Sequence, residues 1–283
     1  MRFLKKNPVF AQTAARPEVR KAVTEARQRL EECRSDLQFE PEGPTYTLAG
    51  RQIRSVSSIV EHFAPFDAMA VAARCSANER HEMYGKDPLE IVRIWDERGR
   101  QAADEGTAVH AFGEACCLYL QNREDEIEQA YRCRITPDGL AALTPKEEAV
   151  ALWWETADWA RYSVAAKETR IVNPVLGYAG TFDLLLYDTY NDVFAQKDYK
   201  TNKDLEKWYG DMLLPPLSML RNNDIGRYTV QQTLYTIELR NIGLRVATND
   251  LVWLREGKFT EVPLPMKYDK VIAWAVSQLS NNN

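Results

Sequence analysis

Gly180-Thr181-Phe182-Asp183 is followed, fifteen residues after its aspartate, by Asp198-Tyr199-Lys200. Two carboxylates and an amine brought together on adjoining strands can hold a divalent cation beside a phosphate. Carboxylate oxygens are hard ligands of the kind Mg²⁺ or Mn²⁺ prefers, and the amine would stand one side chain from that ion. Each motif also has a purely structural reading. Asp-x-Lys on a strand is often a solvated cross-strand ion pair, and Gly-Thr-x-Asp is a common turn-to-strand sequence. Other residues must decide between the two.

The elements that would position these groups follow from local pattern. Tyr178 to Tyr187 and Val193 to Tyr199 are apolar and aromatic, separated by the polar segment Asp188-Thr189-Tyr190-Asn191-Asp192, and so read as a β-hairpin. Residues i and i+2 of a strand share a face, which puts Asp198 and Lys200 on one side and Tyr199 on the other. Val164 to Val172, carrying Glu168, reads as a strand just before the hairpin. Upstream, Gly106-Thr107-Ala108-Val109-His110 opens the apolar run Ala108 to Leu120, read as a buried helix with His110 in its first turns, one of three histidines in the chain. Glu114, one turn later on the same face, is a reserve ligand. Downstream, Tyr228 to Ile237 has helical periodicity, with Gln231 and Tyr235 four apart on one face.

Helix histidine, strand glutamate, strand aspartate, strand Asp-x-Lys and helix Gln-x-x-x-Tyr, in that order over residues 104 to 240, resemble the PD-(D/E)XK nuclease superfamily. The resemblance is to its RecB-like branch, which includes phage-type and mitochondrial genome maintenance exonucleases. It implies a restriction-endonuclease-like α/β fold, a mixed β-sheet flanked by helices. It also implies a nuclease core over residues 104–283, preceded at 1–103 by a helical region with a short hairpin that arches over the site.

The resemblance assigns roles as well. Asp183 and Asp198 would ligate one or two Mg²⁺ or Mn²⁺ ions, with His110 and the Tyr199 carbonyl completing the shell. Lys200 would orient or deprotonate the attacking water, or stabilise developing charge. Glu168 would serve a second ion or its water, and Gln231 with Tyr235 would position DNA phosphate or catalytic groups. The expected activity is a metal-dependent DNA exonuclease in end processing, recombination or repair, of the kind phages and mobile elements carry. The alternatives are a structure-specific or restriction-like endonuclease, or a non-catalytic DNA-binding accessory protein. DNA and recombination or replication proteins are the implied partners.

Some relatives hold an iron–sulfur cluster with one early cysteine and three near the C-terminus. The five cysteines here, Cys33, Cys75, Cys116, Cys117 and Cys133, include none after position 133 and no Cys-x-x-Cys, so no such cluster is expected. The odd count and absence of a secretory signal fit a reduced, cytoplasmic protein, in the host's cytoplasm if phage-encoded, with Cys116 and Cys117 packed in a helix.

The 283 residues, 45% hydrophobic, suffice for one substantial core, and no apolar run reaches transmembrane length. A net charge of −5 is unlike that of a typical nucleic-acid binder, so any DNA track must be local. Lys197, Lys200, Lys203 and Lys207, extended by Arg51, Arg54, Arg221 and Arg227, are candidates for it, although charge runs are usually solvated faces.

The rest of the chain is scaffold. Residues 17 to 38 read as an amphipathic helix, and Tyr46 to Arg54 as a hairpin turning at Ala49-Gly50. A helical region is expected from Ser55, continuing with breaks near Pro65 and Gly85–Pro88 into the helix leading to His110, and a further helix from Pro145 to about Tyr162. In the latter region Trp153, Trp154 and Trp159 are expected to pack in the core rather than stack on bases. Residues 204 to 226 are expected to form an irregular loop over the site. Strands Leu244 to Leu254 and Phe259 to Leu264 and a helix from Tyr268 to Leu279 precede the low-complexity tail Asn281-Asn282-Asn283.

Overall fold

The computed structural model describes residues 4–42, 44–135 and 142–280; the asparagine tail lies outside the described residues. The chain opens with α1 (Pro8–Ala15), capped by the Asn7 side chain, and α2 (Pro17–Cys33), each with proline in its first turn, where a missing N–H costs nothing. In α2 the buried Val19, Val23, Ala26 and Leu30 recur at three- and four-residue spacing. The helix stops five residues short of the expected end because Leu37 leaves it to form an edge strand.

That strand, β1 (Leu37–Glu40), pairs with β2 (Thr45–Leu48), which pairs with β3 (Arg51–Ser55), all antiparallel. Ala49 and Gly50 join β2 to β3 with φ of 49° and 76°, the conformation of the tight turn whose twist suits a hairpin. Ser55 then caps α3 (Val56–Phe63), and α4 (Ala68–Ala77) follows the break at Pro65. The next helix, α5 (Pro88–Leu120), capped by Asp87, is much longer than the expected apolar run. His110 lies deep within it, not in its first turns, because the mostly exposed segment before Val109 continues the same helix. The expected boundary at 103/104 falls inside α5, and β1–β3 belong to the same sheet as the later strands.

After α6 (Gln129–Ile135), Thr144 and Glu147 form a reciprocal capping box on α7 (Pro145–Thr156). This helix ends near Thr156 rather than Tyr162. Ala157 leaves helical geometry, and Trp159 folds back to stack on Trp154 with ring centroids 5.1 Å apart. Trp153, Trp154 and Trp159 are all buried, as expected.

The remaining elements are β4 (Tyr162–Asn173), β5 (Tyr178–Asp188), β6 (Val193–Lys200), α8 (Asp224–Asn241), β7 (Val246–Arg255), β8 (Lys258–Pro263) and α9 (Asp269–Ser280). They match the expected strand–hairpin–helix–strand–strand–helix order, with shifts of a few residues at their ends.

The result is a mixed eight-stranded sheet flanked by helices, as the α/β expectation required. Its branch point is β5. β4 pairs antiparallel along its full length, from Asn173↔Tyr178 to Tyr162↔Asp188. The other edge is shared: β3 pairs parallel at Tyr178 and Ala179, and β6 pairs antiparallel only from Leu184 to Asp188. β6 continues in parallel with β7, which pairs antiparallel with β8. Alternation along the strands separates two cores. Leu185 and Tyr187 pack with α2, α3, α8 and α9, while Leu184, Leu186 and Tyr199 pack with α1, α5, α7 and the tryptophans.

Candidate metal centre

The hairpin ladder ends at Leu184↔Lys197, one residue before Asp183 and Asp198 would face each other. Beyond that point the strands part. The Tyr199 N–H donates instead to Asp183 Oδ2 at 2.7 Å, so a side chain replaces the strand partner. The gap faces both helical layers. From the α5 side His110 reaches in, its ring 5.7 Å edge-on to Tyr199. On the α8 side Lys200 sits 4.4 Å over the Tyr228 ring, in ion pair with Asp198.

Two glycines permit this closeness. Gly113, one turn after His110, would bring a Cβ to 3.0 Å from Tyr199 Cε2. Gly180, the glycine of the Gly-x-x-Asp motif, lies under Tyr235. Neither role was readable in advance, although a glycine inside the apolar run of α5 was a signal of close approach.

His110 Nδ1 stands 3.4 Å from Asp183 Oδ2 and 3.5 Å from Glu168 Oε1. Ligand atoms of His110, Glu168 and Asp183 all lie within 4.8 Å of one another. Glu168 reaches the cluster from β4 in a left-handed backbone conformation, φ 40°, which non-glycine residues adopt at a cost and which concentrates at functional sites. A void of about 10 Å³, on the scale of one water-sized sphere, lies among Gly113, Glu168, Asp183 and Tyr199.

Asp198 is not in that triad; its carboxylate is taken by Lys200. Glu114, the reserve ligand, borders the same void but is engaged in an ion pair with Lys167. Those pairings leave Glu168 facing His110 rather than Lys167, and Arg170 lies over the Phe39 ring. Tyr235 is buried close to Asp183 and Asp198, with Gln231 beside its phenol, while Gln231 Oε1 is buried without a partner among the described residues. The Tyr199 peptide meets the cluster through its N–H.

The electrostatics are those of a site crowded with negative charge. Burial opposes charge on His110, yet Asp183, Glu168 and Asp198 overcome it and push the imidazole up to about 11. Burial also works against the Asp183 carboxylate, but His110, Lys200 and the Tyr199 N–H hold it below the usual range. Asp198 is driven up, by burial first and then by Asp183, with Lys200 opposing. For Lys200 burial favours the neutral amine, but Asp198 and Asp183 win and keep it an ammonium. The imidazolium and ammonium thus supply the positive charge that three converging carboxylates demand. A hard divalent cation fits the same donor set.

Of the basic residues proposed as a track, Lys197 does not belong to it. It is buried on the opposite face from Asp198, paired with Asp250 at 3.1 Å and Glu261 at 2.7 Å. Its position between two inward-facing neighbours disguised it as a surface charge. Cys116 and Cys117 are buried in α5 as expected.

No protein-family model and no curated protein matches this chain. No helix among the described residues is long and apolar enough to cross a membrane.

Proposed function

We propose that the chain is a Mg²⁺- or Mn²⁺-dependent deoxyribonuclease with a restriction-endonuclease-like core of the PD-(D/E)XK type, acting as an exonuclease on DNA ends in recombination or repair. One observation carries the reading. Where β5 and β6 part, Asp183 meets His110 and Glu168, while Asp198 and Lys200 occupy the same gap from the other layer.

Asp183, His110 and Glu168 would hold the cation, with Asp198 and the Tyr199 carbonyl as further ligands. When bound, such an ion stabilises charge on phosphoryl oxygens and makes a coordinated water more acidic. Lys200, kept protonated by Asp198 and Asp183, acts as a hydrogen-bond donor that orients the water or steadies the phosphate. It becomes a base only if those carboxylates turn their charge elsewhere. Tyr235, buried close to Asp183 and Asp198 with Gln231 beside its phenol, would position the catalytic carboxylates.

The test is cleavage of end-labelled single- and double-stranded linear DNA beside a covalently closed circle, with Mg²⁺ or Mn²⁺. Degradation of linear forms alone is expected, and cutting of the circle would replace the exonuclease with an endonuclease. Lys200→Ala is expected to lower the rate about 100-fold or more; full activity in that variant would remove the mechanism.

A further inference from the structure

A cleft of about 1030 Å³ runs outward from His110 and Lys200. Besides these two it is lined by the cations Lys146, Lys203, Arg255 and Lys258, against one lining carboxylate, Glu256. On a protein of net charge −5 that is a local reversal of sign. Many cations elsewhere on the surface are neutralised by partners, as Arg34 is by Glu31 and Arg123 by Glu126. Of the four outer cations of the cleft, Lys146 alone is so engaged among the described residues, with Glu105. Lys203, Arg255 and Lys258 are exposed and form no ion pair among the described residues.

The wall that bears them is held in place. The Gly257 N–H at the β7–β8 turn donates to the Pro145 carbonyl at 2.8 Å, tying the turn to the start of α7. Trp253 Nε1 donates to the Asn202 carbonyl at 2.7 Å, and Arg255 lies 3.9 Å over the Trp253 ring. Ala102 and Ala103 of α5 also line the cleft, with short side chains. Lys200, which lines it, is only 13% exposed in its side chain, and its partner Asp198 3%. A phosphate must therefore descend into the cleft to meet them. An intact duplex keeps each phosphate on the outside of a stiff rod with its second strand attached, whereas an unpaired strand can bend inward. The volume suits a ligand of a few nucleotides rather than a turn of duplex.

We infer that this cleft is the path of one unpaired nucleic-acid strand, its phosphates gripped by Arg255, Lys258 and Lys203. The inference rests on the nuclease reading and adds the substrate form and the residues that guide it. It keeps Lys203 of the basic residues named from the sequence and adds Arg255 and Lys258 at the β7–β8 turn. A basic groove following the backbone, without base readout, is the usual design for sequence-tolerant single-strand binding.

The test uses the whole protein in EDTA, so that nothing is cut, and fluorescence anisotropy with a labelled oligothymidylate of about 12 nucleotides and a blunt hairpin duplex. The native protein is expected to bind the single strand several-fold more tightly. In the double variant Arg255→Gln, Lys258→Gln, affinity should fall on the order of tenfold, and the slope of log affinity against log salt should drop by about 1.4, near 0.7 for each lost contact. Mn²⁺ affinity of that variant, measured by calorimetry, should be unchanged, which shows the fold and metal centre intact. Equal or tighter duplex binding, no oligonucleotide binding, or a variant with native affinity and slope would each overturn the inference. Failure of the nuclease reading is seen separately, as absence of Mn²⁺ binding and cleavage by the native protein.

Discussion

Tyr235 stands so close over Gly180 that a Cβ on the glycine would lie 2.6 Å from the ring's Cε1 and 3.0 Å from its hydroxyl, with Val56 Cγ2 also at 3.0 Å. The phenol is pinned behind Asp183 and Asp198 by this contact, so the glycine three residues before Asp183 sets the distance between α8 and the site. Gly180→Ala is expected to destabilise the fold by about 1–3 kcal/mol, the usual range for overpacking a well-filled interior, and to displace Tyr235. Gly99→Ala, at an α5 position with nothing within 4 Å, is the control and should be neutral or stabilising by about 1 kcal/mol. Urea denaturation of the two variants tests the contrast; equal stabilities would refute it.

A second expectation concerns the proton on His110. Its folded value of about 11 lies above the ordinary 6.5, so in the metal-free protein the imidazole is charged at neutral pH. The sign is that of a raised group. Its contribution to metal-free stability is complete below about 6.5 and fades as pH rises toward 11. A cation on Nδ1 must displace that proton. Mn²⁺ affinity should therefore rise about tenfold per pH unit near neutrality through this one proton. Calorimetry in buffers of different ionisation enthalpy should detect about one proton released per ion. No release in the native protein, or the same release from His110→Ala, would take His110 out of the ligand set.

How much of this was legible depends on the range of the interaction. Asp198 and Lys200 share a face because a strand has period two, and α8 placed Gln231 and Tyr235 together because a helix turns every four residues; both are local rules. The parting of β5 from β6 at Asp183 is not local. It depends on β3 claiming the far end of the same β5 edge, a parallel pairing across more than a hundred residues that no pattern in Arg51–Ser55 announces. Leu37 and Gln38 read as the tail of a helix because their strand partner, β2, lies outside the window in which helical periodicity is judged. Lys197 was misplaced because its partners Asp250 and Glu261 lie on β7 and β8, far along the chain.

Glu168 offers a test of whether strain serves the site. Its φ of 40° is inexpensive only for glycine. Glu168→Ala and Glu168→Gly both remove the carboxylate next to His110, but only glycine also relieves the backbone. Glu168→Gly should thus be more stable than Glu168→Ala by about 1 kcal/mol, although glycine elsewhere in a strand is the worse residue. If Glu168 binds metal, both variants should lose Mn²⁺ affinity equally. Thermal melts ranking alanine above glycine would show that the left-handed conformation is not a constraint.

Far from the cluster, Asp188 closes the β5–β6 hairpin and makes acid sensitivity separable from metal binding. Its Oδ2 accepts from Arg161 Nε at 3.0 Å and Nη2 at 2.6 Å and from Asn191 Nδ2 at 2.8 Å, while Oδ1 accepts from the Tyr190 N–H at 3.0 Å. Burial pushes this carboxyl up, but the Arg161 guanidinium and these donors prevail and bring it down to about 2. A lowered acid contributes stability above its unfolded value, near 3.8, and loses it as pH falls toward 2. That share is on the order of 1 kcal/mol, because Arg161 is itself partly solvated. Asp188→Asn should be less stable at neutral pH by about this amount, having lost the ion pair, and should show a shallower fall between pH 4 and 2. Guanidinium titrations of the metal-free protein across that window supply the comparison. Parallel native and variant curves would mean that the hairpin turn carries no titrating contribution.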